Sequence, residues 1–171
     1  ASNGSAALSG YKIYRGTSLT SMKLLPNPVT TTTYTDTGLT NGQIYYYKVS
    51  AINSIGESPV SNELSAAPST VPSAPQGFQA SPGDAFINLT WQGPSSDGGR
   101  AISNFQIWRG TTSGMEAFYA NVGLKLSYKD SGLTNGQTYY YKVRAENDKG
   151  VGPNSSEAYA IPSLTTTVPS A

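Results

Sequence analysis

Two stretches of this chain repeat one another at a fixed offset of 94 positions, from Tyr11/Phe105 through Glu63/Glu157. GYKIYRGTS at Gly10 to Ser18 returns as NFQIWRGTT at Asn104 to Thr112, and YTDTGLTNGQIYYYKVSAINSIGESP at Tyr34 to Pro59 returns as YKDSGLTNGQTYYYKVRAENDKGVGP at Tyr128 to Pro153. Self-similarity at constant spacing is the mark of an array of structural units. It divides 171 residues into two small domains. It also points away from catalysis, because a spacer or adhesive surface gains from copies whereas an enzyme rarely needs its site twice.

Within each copy the apolar residues alternate. Tyr45, Tyr47, Val49 and Ala51 share one parity, and Tyr46, Lys48, Ser50 and Ile52 the other; the second copy repeats this with Tyr139, Tyr141, Val143 and Ala145 inward and Tyr140, Lys142 and Arg144 outward. Period two with one apolar face is a half-buried antiparallel strand. Tyr11, Ile13 and Arg15 form another short phase, as do Phe105 and Ile107, and Ile87, Leu89 and Trp91. Ahead of each long strand stands Leu-Thr-Asn-Gly-Gln (Leu39 to Gln43, Leu133 to Gln137), whose Asn-Gly tolerates the positive φ of a tight turn. No stretch of ten residues carries a 3.6-residue period. Short strands spaced by turns predict an all-β sandwich.

Composition removes several function classes. The chain has no Cys and no His, which excludes disulfides, thiolate metal sites, the commonest general base and the commonest zinc ligand. A net charge of +1 with both signs dispersed supplies no basic patch for nucleic acid and no polybasic membrane anchor. No apolar run approaches the roughly 20 residues of a spanning helix. No cofactor, metal or catalytic residue is expected. Residue 1 is Ala and no signal peptide is present, so the chain is expected to be a mature or excised segment.

The motifs resemble the fibronectin type III family, in the form found on secreted bacterial and archaeal proteins. The carriers are the proline-led VPSAPQGF at Val71 to Phe78, Leu-Thr-Trp at Leu89 to Trp91, YKIYRGT at Tyr11 to Thr17, and the pattern L-x5-Y-x-Y-x-V-x-A-x-N-x2-G from Leu39 to Gly56 and again from Leu133 to Gly150. The resemblance implies tandem immunoglobulin-like Greek-key sandwiches of seven strands, A, B and E facing C′, C, F and G. It further implies that Tyr45 and Tyr139 are tyrosine corners whose hydroxyls bond backbone near Leu39 and Leu133, and that Trp91, Leu89, Val49 and Val143 belong to the cores.

The first copy departs from the pattern: nothing in it corresponds to Pro75 to Pro94, so strands A and B are expected to be lacking. Expected boundaries are an incomplete domain of strands C to G over 1–68, a Pro-rich linker over 69–75, a complete domain over 76–162, and the start of a second linker over 163–171. Losing a buried Trp alone costs about 3–5 kcal/mol, against a total domain stability of about 5–15 kcal/mol. Residues 1–68 are therefore not expected to fold unaided into a normal sandwich. The alternatives are a cut through a longer array and completion by strands from a neighbouring chain. The linker, with three prolines in Ala67 to Pro75, is expected to be stiff and extended.

The expected interaction face comprises Tyr14, Tyr46, Trp108 and Tyr140, with Lys48, Lys142 and Arg144 nearby. Outward aromatics and cations on a flat sheet can stack on sugars or dock another subunit, or serve only as cross-strand pairs that stabilise the sheet. Asn3, Asn88 and Asn154 each open a glycosylation sequon, and the tracts Thr30 to Thr33 and Thr165 to Thr167 could carry O-linked sugars. Asp36 and Asp130, each before a Gly-Leu, are read as turn formers, since no clustered carboxylates supply a calcium site. The chain is expected to be a structural or adhesive repeat of an extracellular cell-surface filament, or a spacer or carbohydrate-associated module of a secreted polysaccharide hydrolase. Its expected partners are copies of itself and polysaccharide, with no nucleic acid and no membrane insertion.

Overall fold

The computed structural model describes residues 6–164. Among them there is no helix; twelve strands form antiparallel sheets, in two compact units divided between Pro68 and Ser69.

The first unit holds β1 (Leu8–Gly16), β2 (Lys23–Leu24), β3 (Tyr45–Asn53) and β4 (Leu64–Ala66) in one sheet of order β2-β1-β3-β4. β1 and β3 pair over their length, with Ile13 opposite Val49 and Tyr14 opposite Lys48. Strand E was expected here, but Tyr34–Thr37, the counterpart of a strand in the second unit, is irregular. That counterpart is held by pairing with a neighbouring strand, Phe86 with Ser131 through Thr90 with Ser127, and no such pairing occurs among the described residues of the first unit. An extended segment without a ladder leaves its backbone to water and gains nothing from straightening.

The placing of Val49 is corrected as well. Expected in a core, it is 38% exposed, whereas Val143 at the same position of the second copy is 0% exposed. Parity places both side chains on the same face, and only one of those faces is covered. The opposite face holds a second departure. Ser50, read as outward, is 1% exposed because Glu57 lies over it and accepts a hydrogen bond from Ser50 Oγ.

The second unit comprises β5 (Pro75–Gly83), β6 (Phe86–Pro94), β7 (Asn104–Gly110), β8 (Ala117–Asn121), β9 (Ser127–Ser131), β10 (Tyr139–Asn147), β11 (Gly150–Val151) and β12 (Ala158–Ala160). One sheet runs β5-β6-β9; the other runs β11-β10-β7-β8, with β12 also on β10. Between them lies the core of Phe78, Ile87, Leu89, Trp91, Phe105, Ile107, Tyr141, Val143 and Ala145. Trp91 is its largest side chain, 4% exposed, with Phe105 meeting it edge-on at 5.8 Å.

Residues 69–75, expected as a stiff, extended Pro-rich linker, group with this unit. Thr70 N–H donates to Gly98 O at 2.9 Å, Ser73 N–H donates to Ser96 O at 2.9 Å, and Asn147 Nδ2 donates to Thr70 O. Pro72 is fully buried. Proline fixes φ without preventing its carbonyl and its neighbours from bonding, so a stiff segment can still be a docked one. Gly98 is required for the docking: it sits at φ +75°, and a Cβ there would come within 2.2 Å of the Thr70 carbonyl oxygen.

Candidate functional site

Three kinds of side-chain arrangement stand out: the inward polar node of each sheet, the outward aromatic face, and the exposed sequons. The node is the one that reading the residues missed. Arg109 lies on the inward parity of β7, and an inward guanidinium must find a carboxylate. It finds Asp130 on β9, donating from Nη1 to both carboxylate oxygens at 3.0 Å. Tyr119 and Tyr141 donate their hydroxyls to the same carboxylate at 2.9 and 2.7 Å. Asp130 is 0% exposed. It is the hub of a buried network and not merely a turn former. Burial and the hydrogen bond to Asp130 push the Tyr119 phenol up to about 12, and push Tyr141 up as well. Neither phenol is a proton source at neutral pH.

The first unit builds the same node at the same offset. Arg15 Nη1 donates to Asp36 at 2.7 and 2.9 Å, and Tyr47 Oη donates to Asp36 at 2.8 Å. The position of Tyr119 is taken by Leu25, so this carboxylate has one phenol fewer. The signal was present in the sequence as an arginine of inward parity in both copies, matched by an aspartate in both.

Tyr45 and Tyr139 act on the backbone. The N–H of Thr40 donates to Tyr45 Oη at 3.1 Å, and that of Thr134 to Tyr139 Oη at 3.2 Å. Each hydroxyl ties the turn to the strand that follows it, next to Leu39 and Leu133. Accepting that bond holds the Tyr45 phenol below its ordinary value.

The outward face of the second unit gathers Trp108, Tyr140, Lys142 and Arg144. Register sets Tyr159, Tyr140 and Gly110 in one row and Lys142, Trp108 and Phe118 in the next. Tyr140 and Tyr159 meet at 5.8 Å, tilted by 37°, and Phe118 meets Trp108 edge-on at 6.2 Å. The guanidinium of Arg144 lies 4.6 Å from the Trp108 ring centroid, a cation–π contact that caps one face of the indole. Arg144 Nε also donates to Asn154 Oδ1 at 2.6 Å, while Lys142 Nζ pairs with Glu116 at 2.7 Å. The Trp108 indole is thus engaged from within its own sheet. Its Nε1 is buried and makes no hydrogen bond.

On the first unit the equivalent face is differently equipped. Tyr14 Oη, Lys12 Nζ and Ser50 Oγ all donate to Glu57, at 2.6, 2.5 and 2.5 Å. Those bonds, from Lys12 foremost, then Ser50 and Tyr14, hold the Glu57 carboxyl down at about 2. Tyr46 shares the face, opposite Ser65.

Of the sequon asparagines, Asn88 is exposed on β6, Asn154 is exposed and bonded to Arg144, and Asn3 lies outside the described residues, as do Thr165 to Thr167. Among the described residues no group of three or more His, Cys, Asp or Glu could hold a metal ion, and no helix is long and apolar enough to cross a membrane.

These features agree with what the chain resembles among known proteins. Over 175 aligned residues it is 32% identical to Exoglucanase B of Cellulomonas fimi, a match that takes in 97% of this chain and 15% of that protein. It is 33% identical to a Kelch domain-containing protein of Saccharolobus solfataricus, over 70% of this chain and 16% of the other. The chain therefore spans a small part of either relative. A crystal structure of domains from titin superposes with a TM-score of 0.56 at 22% identity, covering 91% of this chain and 55% of that one, which shows the fold. The family model of the fibronectin type III domain matches residues 73–161, the end of the docked segment and both sheets of the second unit, and the chain belongs to the fibronectin type III family.

Proposed function

We propose that the chain is a non-catalytic structural or adhesive segment of an extracellular, cell-surface protein. In this reading it consists of two fibronectin type III units in tandem, the first lacking counterparts of β5 and β6. The observation that carries it is the duplication of internal architecture. The Arg–Asp–Tyr node, the tyrosine-capped turn and the bond from the strand amide to a serine (Val49 N–H to Ser61 Oγ, Val143 N–H to Ser155 Oγ) recur in both units. These polar groups are consumed in holding the sheets. The outward face is where the copies differ, and there lie the contacts to other copies of the chain that this reading requires.

A second reading has its own support. Likeness to Exoglucanase B runs along nearly the whole chain, in keeping with a spacer or carbohydrate-associated module of a secreted polysaccharide hydrolase. Against sugar stacking on Trp108 stands the guanidinium over its ring, which leaves Tyr140 and Tyr159 as the open stacking pair. In a glycosylating host Asn88 is the acceptor this reading favours, since its side chain is exposed and makes no hydrogen bond.

Imaging together with co-sedimentation on cellulose and chitin separates the two. Fibres or higher assemblies with no pelleting uphold the structural reading. Monomers that pellet with polysaccharide, and no longer do so when Tyr140 and Trp108 are both changed to Ser at unchanged Tm, uphold the module reading and sink the first.

A further inference from the structure

One cross-strand row on the outward face differs between the copies by a single side chain. In the second unit it reads Tyr159, Tyr140, Gly110; in the first it reads Ser65, Tyr46, Gly16. Only the second unit therefore sets two aromatic rings side by side in this row. Tyr159 is 65% exposed, its ring centroid lies 5.8 Å from that of Tyr140, and the two planes are tilted by 37°. Neither phenol hydroxyl bonds to another group among the described residues. The third position of the row is closed. A Cβ at Gly110 would come within 2.9 Å of Met115 O and 3.2 Å of Glu116 Cα, so loop backbone stands where an outward side chain would be. On the other side β12 pairs with no strand but β10 among the described residues. The platform is two rings wide, walled beside Tyr140 and open beyond Tyr159.

Resting on the reading of the chain as a carbohydrate-associated module, we infer that Tyr140 and Tyr159 form a two-ring subsite for one free chain of an uncharged β-1,4-linked polysaccharide, laid across the strands. A β-linked pyranose turns axial C–H groups outward on both faces, and their slight positive charge suits the negative face of a phenol ring. Neighbouring strands lie about 4.8 Å apart, and a β-1,4-linked chain advances one ring over a similar distance, so successive sugars meet successive tyrosines. An α-linked chain curls away after the first. The tilt selects further. Rings in a crystalline sheet of polysaccharide are coplanar and cannot lie flush on both tyrosines, whereas those of a single chain in solution twist relative to one another.

Other ligands fit less well. Lys142 Nζ lies 2.7 Å from Glu116 and 3.5 Å from Glu157, and Arg144 is held by Asn154 and the Trp108 ring. No cation beside the pair is left free to take a phosphate or a carboxylate, which disfavours nucleic acid and an acidic polysaccharide alike. A proline-rich peptide also docks on paired aromatics. Such a groove needs a donor for the peptide carbonyls, and the indole of the next row, Trp108, has its Nε1 buried.

The test is to titrate cellohexaose into the isotope-labelled 171-residue chain and follow the tyrosine ring shifts, with maltohexaose as the α-linked counterpart. Saturable shifts are expected at Tyr140 and Tyr159 and none at Tyr46, which holds the same position without a second ring. Maltohexaose is expected to bind at least about tenfold more weakly, a difference of about 1.4 kcal/mol. Tyr159→Ser is expected to weaken cellohexaose binding by a similar factor at unchanged Tm, and Tyr159→Phe, which keeps the ring, to retain it. Full affinity in Tyr159→Ser, equal binding of the two hexaoses, or shifts of the pair by a free peptide of residues 67–75 and not by cellohexaose would each overturn the proposal. If the chain pellets with cellulose or chitin and Tyr159→Ser pellets equally, the module reading stands and this subsite falls. If no polysaccharide pellets the chain and cellohexaose shifts nothing, both fall.

Discussion

Both carboxylate oxygens of Asp130 accept from a single nitrogen of Arg109, each at 3.0 Å, on the inner side of a sandwich where Asp130 has no contact with water. The arrangement leaves the other lone pairs for Tyr119 and Tyr141, which take them. A buried carboxylate with four accepted bonds is satisfied; removing its charge strands the guanidinium.

Asp130→Asn is accordingly expected to destabilise the second unit by about 3 kcal/mol, the cost of breaking a buried pair from one side. Tyr141→Phe and Tyr119→Phe are expected to cost about 1.5 kcal/mol each, as lost hydrogen bonds to a charged group. Urea unfolding followed through Trp91 fluorescence measures all three. A double-mutant cycle with Arg109→Met is expected to show coupling; additive losses would mean that the network does not act as a unit.

Val49 and Val143 are the same residue at the same register with different cover. Val143→Ala is expected to cost about 2 kcal/mol by transfer and cavity formation. Val49→Ala is expected to stay within about 0.5 kcal/mol, as at an exposed site. Matched denaturation curves resolved by unit compare them directly.

Gly98→Ala introduces a Cβ into the Thr70 carbonyl and places an alanine at φ +75°. The left-handed conformation alone costs about 1–2 kcal/mol. The distinguishing result lies elsewhere: amide exchange at Thr70 and Ser73 is expected to accelerate. Gly136→Ala, at φ +85° with nothing within 4 Å, is the control, carrying the conformational cost without releasing the docked segment.

The Glu57 carboxyl, held by Lys12, Ser50 and Tyr14, is depressed to about 2 from an ordinary 4.5. Its folded value lies below its unfolded one, so its contribution to the first unit is complete above about pH 4.5 and is lost as pH falls toward 2. A carbon-detected titration of Glu57 is expected to give a midpoint near 2. Lys12→Met is expected to move that midpoint upward. A midpoint unchanged by the substitution would mean that the lysine is not what holds the carboxylate.

Strand positions and facing were legible because alternation is a local property: the parity of Tyr139 to Ala145 separates Tyr141, Val143 and Ala145, all buried, from their neighbours. Cover is not local. Nothing around Val49 distinguishes it from Val143, because the difference lies in residues some tens of positions away. Asp36 and Asp130 were hidden by their own neighbourhood, since an Asp ahead of Gly fits a turn so well that the inward arginine opposite goes unweighed. The docking of residues 69–75 depended on Gly98, in a different loop, and prolines report stiffness without reporting what they lie against. The Ser50–Glu57 contact had no precedent in the other copy, where Val151 stands in place of the glutamate. On the outward face the sequence indicated which side chains gather, but not that Arg144 would lie over the Trp108 ring.

The turn capped by Tyr45 closes in a unit with one layer as it does, through Tyr139, in a unit with two. Its geometry is complete within a handful of consecutive residues and asks nothing of any distant part of the chain. On a ribosome, where a polypeptide emerges from its beginning, such a clasp can lock before later strands have been made, so that each new strand meets a neighbour whose alignment is already decided.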